Sequence, residues 1–281
     1  MKNYIAKILL IMRINRLHRA ALFESPERLL RLFVILTIIS GTVAILLQFA
    51  AVHLFNRGST VYREHLSIEL GSHLQISIST ANTPIEVYTH NSDTILIEYT
   101  GENPLWIDET PEFLRIGTAD GFKFSLFSLG QLSYCMKIYL PQITYAELRL
   151  SAVSGDIYAE NITADFINIS TRSGGIKLHE PDGIVSINSR TGDIALTFGR
   201  FDEPCAVESD TGDIAVLMPP ENDLRLNYFT DTGRFTSDIF RPELNGWQGD
   251  LYLTKGANQT RFTARTISGN LSFLERVVYV R

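Results

Sequence analysis

Residues 185–196 read VSINSRTGDIAL, and residues 205–216 read CAVESDTGDIAV. In both stretches an alternation of apolar and polar residues leads into Thr-Gly-Asp-Ile and resumes after it, which is typical of two β-strands joined by a tight turn. Seven versions of this tetrapeptide, separated by 19, 18, 20, 21, 16 and 20 residues, begin at Ser154, Ser173, Thr191, Thr211, Thr232, Gln248 and Ser268. Repetition at this spacing predicts a stack of similar units.

The flanks of the tetrapeptide repeat as well. Counted from its first residue, positions −6, −4, +3 and +5 should share one face of the two strands. Of these 28 positions 26 are apolar, and the exceptions are Ser237 and Pro242. One unit cannot bury such a face alone, whereas stacked units bury a continuous core. We therefore predict an all-β fold, a β-solenoid or β-helix-like stack of about 19-residue repeats. An elongated β-sandwich of repeated hairpins is the alternative.

The glycine of each tetrapeptide is predicted to supply a backbone angle that residues with a Cβ atom resist. The predicted structural turns are Gly155, Gly174, Gly192, Gly212, Gly233, Gly249 and Gly269. A hydroxyl residue stands two positions before five of the tetrapeptides: Thr171, Ser189, Ser209, Thr230 and Thr266. Serine and threonine are short enough to bond the backbone of the bend.

Residues 60–145 are predicted to be a looser part of the same module. Asn82-Thr83-Pro84 replaces the glycine turn, with apolar residues at the same spacing around it. Further strands are predicted at Thr94–Tyr99, Phe113–Ile116, Phe122–Phe127 and Tyr134–Leu140. Irregular terminal strands suit the open end of a stacked sheet, which would otherwise expose unpaired backbone groups.

The N-terminal region has a different composition. Residues 32–55 contain no Asp, Glu, Lys or Arg. As a helix they would be about 36 Å long, enough to cross a hydrocarbon core of about 30 Å. Residues 1–31 hold seven basic residues against two acidic ones, which predicts a cytoplasmic N-terminus.

We therefore expect four regions along the chain. They are a basic cytoplasmic segment (1–31), a transmembrane helix in the lipid bilayer (32–55), a short linker with the first strand (56–73) and an exported β-strand-repeat domain (74–281). The expected localisation is the cell membrane, as a single-pass protein with an extracytoplasmic C-terminal domain.

The repeat resembles a known family. The recurring Ser/Thr-Gly-Asp-Ile, and a strand that ends in Ile138-Tyr139-Leu140-Pro141, are similar to the bacterial "putative adhesin" domain of β-strand repeats, over roughly residues 74–275. The sequence departs from that pattern at Gly175, Arg234 and Asn270, where the acidic turn residue is absent. The resemblance implies a protein tethered by one N-terminal helix, in some cases encoded with cell-envelope stress systems, and it carries over no catalytic residues.

Few residues suggest chemistry. The sequence has no GxSxG, HExxH, GxxxxGK[ST] or CxxC motif, so we expect no catalytic site and no cofactor. A net charge of −6 argues against a nucleic-acid binder. Asp193 and Asp213 should be neighbours if rungs stack at strand spacing, and a weak Ca²⁺ site between them is one hypothesis. The alternative is that aspartate is a favourable turn residue.

The predicted function is a non-enzymatic, membrane-anchored, extracytoplasmic module that acts as an adhesin or as a binding or scaffold module of the cell envelope. Its predicted partner is an envelope protein or glycan. The first alternative is an accessory regulator of an envelope-stress or signalling system, with residues 1–31 as the cytoplasmic reporter. The second is a glycan-active enzyme on a β-helix, which would need paired carboxylates on an outer face.

Overall fold

In a computed structural model the described residues are 61–71, 74–118, 134–219, 222–257 and 260–276. Among them there is no helix long and apolar enough to span a membrane. The predicted membrane helix (32–55), the basic segment (1–31) and the predicted strand Phe122–Phe127 lie outside these ranges. Residues from Thr60 onward form one compact unit of the chain.

The described residues contain 21 strands, numbered here in chain order, in two sheets that are mostly parallel. Neighbours in the first sheet are, in order, β1 (Tyr62–Glu69), β4 (Thr94–Gly101), β7 (Cys135–Pro141), β3 (Ile85–His90), β9 (Ile157–Glu160), β11 (Ile176–His179), β13 (Ile194–Thr197), β15 (Ile214–Met218), β21 (Leu271–Glu275), β17 (Arg234–Ser237) and β18 (Trp247–Gln248). Neighbours in the second sheet are β19 (Leu251–Lys255), β16 (Leu224–Thr230), β20 (Thr260–Thr266), β14 (Cys205–Ser209), β12 (Asp182–Ser189), β10 (Thr163–Thr171), β8 (Thr144–Ala152), β2 (Gln75–Thr80), β6 (Phe113–Thr118) and β5 (Leu105–Glu109). A short 3₁₀ helix spans Pro242–Leu244.

The chain alternates between the sheets, and every tetrapeptide except the one at Gln248 joins a strand of the second sheet to a strand of the first. Strands β8, β10, β12 and β14 pair in parallel, and so do β9, β11, β13 and β15. The two strands that flank such a turn are not hydrogen-bonded to each other, so the predicted hairpin alternative is wrong. The arrangement is consistent with a β-solenoid in which each repeat is one rung.

The core lies between the two sheets, and the predicted apolar positions form it. Position +3 is occupied along the first sheet by neighbouring residues, each at most 1% exposed: Ile85, Ile157, Ile176, Ile194, Ile214, Leu271 and Phe235. Ser237, a polar exception, is also buried, and its hydroxyl donates to the carbonyl oxygen of Phe273 at 2.7 Å. The hydroxyl thus has a partner in the interior, where an unpaired polar group would be costly.

The order of the rungs differs from the order of the repeats in the sequence. The last repeat, β20 and β21, pairs with β14 and β15 on one side and with β16 and β17 on the other. It is therefore inserted between the fourth and fifth repeats. The sixth repeat, around Gln248, is not a parallel rung, because β18 and β19 run antiparallel to β17 and β16. The seven tetrapeptides therefore do not mark seven successive rungs of the stack.

The N-terminal part adds rungs at the other end of the stack. Strands β2 and β3 pair in parallel with β8 and β9, so Asn82-Thr83-Pro84 takes the place of a glycine turn as predicted. Strands β6 and β7 stack outside them, and β1, β4 and β5 pair antiparallel at the margins. Antiparallel strands thus close both ends, which limits edge-to-edge association.

Candidate functional site

The turn glycines form a column in which each backbone lies directly against the next. A Cβ atom on Gly174 would fall far inside van der Waals contact of the carbonyl oxygen of Gly155. The same relation joins Gly192 to Gly174, Gly212 to Gly192, Gly269 to Gly212 and Gly233 to Gly269. This succession follows the observed rung order.

The physical reason for these glycines is therefore close approach and not an unusual backbone angle. Among the seven predicted turn glycines only Gly249 has a positive φ, of 101°, and its added Cβ would meet nothing within 4 Å. Gly249 lies between β18 and β19, which pair antiparallel with β17 and β16, and it is therefore outside the column. The expected left-handed angle at the other six is wrong.

The hydroxyl residues before the turns bond the backbone as predicted. Each accepts a hydrogen bond from the N–H of the turn glycine three residues later, over 2.8–3.0 Å from nitrogen to oxygen. All five are buried: Thr171, Ser189, Ser209, Thr230 and Thr266. They supply the partner that the buried turn N–H requires.

The turn aspartates connect neighbouring rungs. Asp193 Oδ1 accepts from the backbone N–H of Asp213 at 2.9 Å, and Asp213 Oδ1 accepts from that of Asn270 at 2.8 Å. Asn270 Oδ1 accepts in turn from the N–H of Arg234 at 3.0 Å. No group of three or more His, Cys, Asp or Glu side chains that could hold a metal ion occurs in the described ranges. The Ca²⁺ hypothesis for Asp193 and Asp213 stays a prediction.

One cysteine points into the core and the other lies on the outer face of its sheet. Cys205 is buried in the core, and Cys135 is half-buried on the first sheet. Both are free thiols. Burial, assisted by the nearby Glu86 carboxylate, raises the pKa of Cys135 to about 12, so this thiol stays protonated at neutral pH.

The outer face of the first sheet carries a cluster of three half-buried tyrosines on three adjacent strands. The ring of Tyr88 on β3 stacks on that of Tyr139 on β7, with centroids 5.6 Å apart and an interplanar angle of 24°. On its other side it meets the ring of Tyr158 on β9, at 5.5 Å and 47°. We call Tyr88, Tyr139 and Tyr158 the tyrosine surface.

Two carboxylates hold the rings of the tyrosine surface in place. The Tyr88 hydroxyl donates to Glu86 at 3.0 Å, and the Tyr158 hydroxyl donates to Glu160 at 2.7 Å. The hydrogen bond to Glu160, with some burial, raises the pKa of Tyr158 to about 12. Burial and the bond to Glu86 also raise the pKa of Tyr88. Both hydroxyls are therefore neutral donors with fixed directions at physiological pH.

A polar depression of about 470 Å³ adjoins the tyrosine surface where its strands end. Its lining consists of hydroxyl, amide, imidazole and carboxylate side chains, including those of His90, Asn91, Gln142, Asn161, Thr163 and Glu180. His90 joins the two features, because its ring meets the Tyr139 ring edge-on at 6.3 Å. Its Nε2 donates to the carbonyl oxygen of Thr94 at 2.7 Å, which fixes its orientation.

The depression also contains unusual backbone. Asn161 and Glu180, with φ of 56° and 48°, are the non-glycine residues with positive φ among those that the structure describes. Both line the depression. Glu180 is held from the other side by Arg276, with 2.5 Å between Nη2 and Oε1. Non-glycine residues with a positive φ are uncommon, and they tend to cluster at ligand sites.

Sequence reasoning did not find the tyrosine surface. Its residues are far apart in the chain and belong to no motif. A signal was nevertheless present, because Tyr158 occupies position +4 of its repeat and Tyr88 position +6 around Asn82-Thr83-Pro84, both facing outward. Aligning the repeats places Tyr158 beside Glu86 and so makes Tyr88 and Tyr158 diagonal neighbours on adjacent strands.

The fold and this surface define a two-sheet β-repeat protein whose outer face presents aromatic and polar side chains. The chain belongs to the Toastrack DUF4097 family, whose sequence profile matches residues 73–182 and 137–273. This match supports the predicted β-strand-repeat domain over residues 74–275.

Solved structures similar to this chain include two from bacteria. One is a "putative cell adhesion protein" from Clostridium sporogenes ATCC 15579, 14% identical, covering 77% of this chain and 100% of its own, with a TM-score of 0.49. Another is a "putative adhesin" from Bacteroides fragilis NCTC 9343, 13% identical, covering 76% of this chain and 97% of its own, with a TM-score of 0.37. No curated protein sequence matched this chain.

Proposed function

We propose that this protein is an adhesin-like binding module of the cell envelope that performs no catalysis. The observation that carries the proposal is the tyrosine surface, in which three rings are held side by side on adjacent strands of a rigid sheet. Half-exposed aromatic side chains in fixed orientations suit a recognition surface, because little conformational entropy is lost when they bind. Membership of the Toastrack DUF4097 family is in keeping with this role.

We further propose that residues 32–55 anchor the protein in the lipid bilayer, with residues 1–31 in the cytoplasm and residues 74–281 outside. The support is the uncharged run of 24 residues and the excess of basic residues before it. Strand β1 begins at Tyr62, so residues 56–61 serve as the linker. The proposed partner is a protein or glycan of the envelope.

The orientation can be tested with the full chain carrying a C-terminal epitope tag, expressed in a bacterium with an inner and an outer membrane. Protease added to spheroplasts should remove the tag and leave residues 1–31 protected. A variant with Arg13, Arg16 and Arg19 replaced by glutamate is the matched control, and in it the protected fraction of the tag should rise. A wild-type tag that is digested only after cell lysis would overturn the proposed location.

A further inference from the structure

We propose that the tyrosine surface and the adjoining polar depression together bind a neutral oligosaccharide. This inference names the ligand class of the binding module proposed above and rests on that proposal. The two features are continuous through His90, which contacts Tyr139 and lines the depression. They therefore form one composite site and not two separate ones.

The composite site offers the two kinds of contact that a sugar needs. The faces of aromatic rings carry partial negative charge and attract the polarised C–H groups of a sugar ring. Carboxamides offer both donors and acceptors, which match hydroxyl groups. Asn91, Gln142 and Asn161 are exposed, and their side chains make no hydrogen bond to the part of the chain that the structure describes. These amides are therefore available to a ligand.

The extent of the surface indicates a chain of sugars. The rings of Tyr139, Tyr88 and Tyr158 follow each other at centroid spacings of 5.6 and 5.5 Å. One sugar ring covers one aromatic ring, so a monosaccharide would leave most of this surface exposed. An oligosaccharide could cover two or more of the rings and reach the depression with its next unit.

The charges of the site favour a neutral ligand. Lys137 is paired with Glu86 at 3.3 Å, and Arg276 is paired with Glu180. Glu160 has the Tyr158 hydroxyl as its donor and no cationic partner among the described residues. The exposed Lys177 on β11 is the cross-strand neighbour of Tyr158. The three cations and three carboxylates of the site therefore balance, so an acidic polymer gains no net attraction there.

The backbone at the site disfavours an extended peptide that adds a strand. Strand β3 lies between β7 and β9, β7 lies between β4 and β3, and β9 lies between β3 and β11. Their backbone groups are thus already paired on both sides, and strand addition needs an unpaired edge. A ligand at this site must be recognised by side chains alone, as a glycan is.

The test measures binding of the full chain, purified in a detergent without a sugar headgroup, to an array of glycans and peptides. The array carries neutral chitooligosaccharides, β-glucans and mannans, anionic polyuronates, and proline-rich peptides. We expect binding to at least one neutral oligosaccharide. Binding to the anionic polymers alone, binding to the peptides alone, or no binding to any neutral glycan would each overturn the proposal.

Two variants locate the binding on the molecule. Tyr139→Leu keeps apolar bulk but removes the aromatic face, and should weaken binding about tenfold. Asn161→Gly removes a carboxamide where φ is 56°, which glycine adopts freely, so it should weaken binding without destabilising the fold. Tyr252→Leu is the control, because this tyrosine is exposed on β19 of the second sheet. Equal affinities of all three variants would also contradict the proposal.

The binding assay and the orientation assay separate the two proposals. A chain that is anchored with its repeats outside the cell but binds no neutral glycan contradicts only the ligand assignment. A chain that binds the glycan but holds its repeats in the cytoplasm contradicts only the proposed location.

Discussion

At the turn corner, the requirement for glycine is set by a residue that is remote in sequence and adjacent in the stack. Gly174 lies against Gly155, and a Cβ atom on it would overlap the carbonyl oxygen of that rung. The adjacent Gly175 occupies the position of the turn aspartate, and its Cβ would meet Asp156 and Asp193 only at 3.5 and 3.7 Å. Two glycines of one turn therefore experience opposite constraints.

The substitution Gly174→Ala should lower the free energy of unfolding by about 3 kcal/mol, because both rungs would have to separate to admit the methyl group. Gly175→Ala is the matched control and should change it by less than about 1 kcal/mol, since the space is open and its φ is not positive. Urea unfolding of the two variants measures the difference. Equal losses would show that the column does not require close approach.

The Tyr158 hydroxyl predicts a dependence of stability on alkaline pH. Its pKa is raised to about 12 in the folded protein by the bond to Glu160 and by burial, against about 10 in an unfolded chain. The stabilisation is therefore complete below about pH 10 and is lost as the pH rises toward about 12.

Replacement of Tyr158 by phenylalanine removes this titration. The difference in Tm between wild type and Tyr158→Phe should be constant up to about pH 10 and then shrink. Thermal unfolding followed by circular dichroism from pH 8 to pH 12 measures it, with Tyr252→Phe as a control at an exposed ring. A difference that does not change with pH would contradict the assigned hydrogen bond.

At the scale of the element, each turn is completed by a buried hydroxyl at the end of the preceding strand. Ser189 at the end of β12 is 2% exposed, and its Oγ accepts from the Gly192 N–H at 3.0 Å. The first repeat has Ala152 at this position, so the hydroxyl is not indispensable in every rung. Its contribution comes from satisfying a buried donor.

The substitution Ser189→Ala should lower the free energy of unfolding by about 1–3 kcal/mol, because the Gly192 N–H would be left buried without this acceptor. Ser186→Ala, on the exposed side of the same strand, should change it by less than about 0.5 kcal/mol. Chemical denaturation of both variants provides the comparison. A cost for Ser186→Ala as large as that for Ser189→Ala would argue against a specific role of the hydroxyl.

At the scale of the whole molecule, the insertion of the last repeat makes the C-terminal strands internal. Strand β20 separates β14 from β16, and β21 separates β15 from β17. Aromatic contacts accompany the insertion, since the rings of Phe262 and Phe273 lie 5.2 Å apart and Phe273 also contacts Phe240 at 6.0 Å. The fifth repeat therefore depends on the seventh for its attachment to the stack.

Deletion of residues 260–281 should detach the rung formed by β16 and β17 and its antiparallel partners β18 and β19. Hydrogen exchange should show residues 224–255 losing protection while residues 144–197 keep most of theirs. The reason is that β16 and β17 lose their parallel neighbours β20 and β21, whereas the strands of residues 144–197 keep theirs. Replacement of β1 by a flexible linker is the control, since it removes one end of the first sheet without opening its interior. Retained protection of 224–255 would show that β16 and β17 can stack directly on β14 and β15.

Residue patterns alone determined which side chains are buried and where each rung turns. Alternation between the two faces of a strand is a property of residues two positions apart, so Ile187 and Ile194 could be assigned to the core without coordinates. The regular spacing of the tetrapeptides along the chain likewise predicted a stacked all-β fold, because it is also a property of the local sequence. The role of each glycine did not follow, because the atom that excludes a Cβ belongs to another rung.

Only the tertiary structure decided which rung lies beside which, and with it the composition of the outer faces. Because the rungs share the same turn, hydroxyl and alternation, local sequence permits many stacking orders. The choice is made by long-range strand pairing and side-chain fit, as for the insertion of β20 and β21. The tyrosine surface results from that choice: Tyr88, Tyr139 and Tyr158 meet because β7, β3 and β9 are neighbours in space, although two of these strands are distant from the third along the chain.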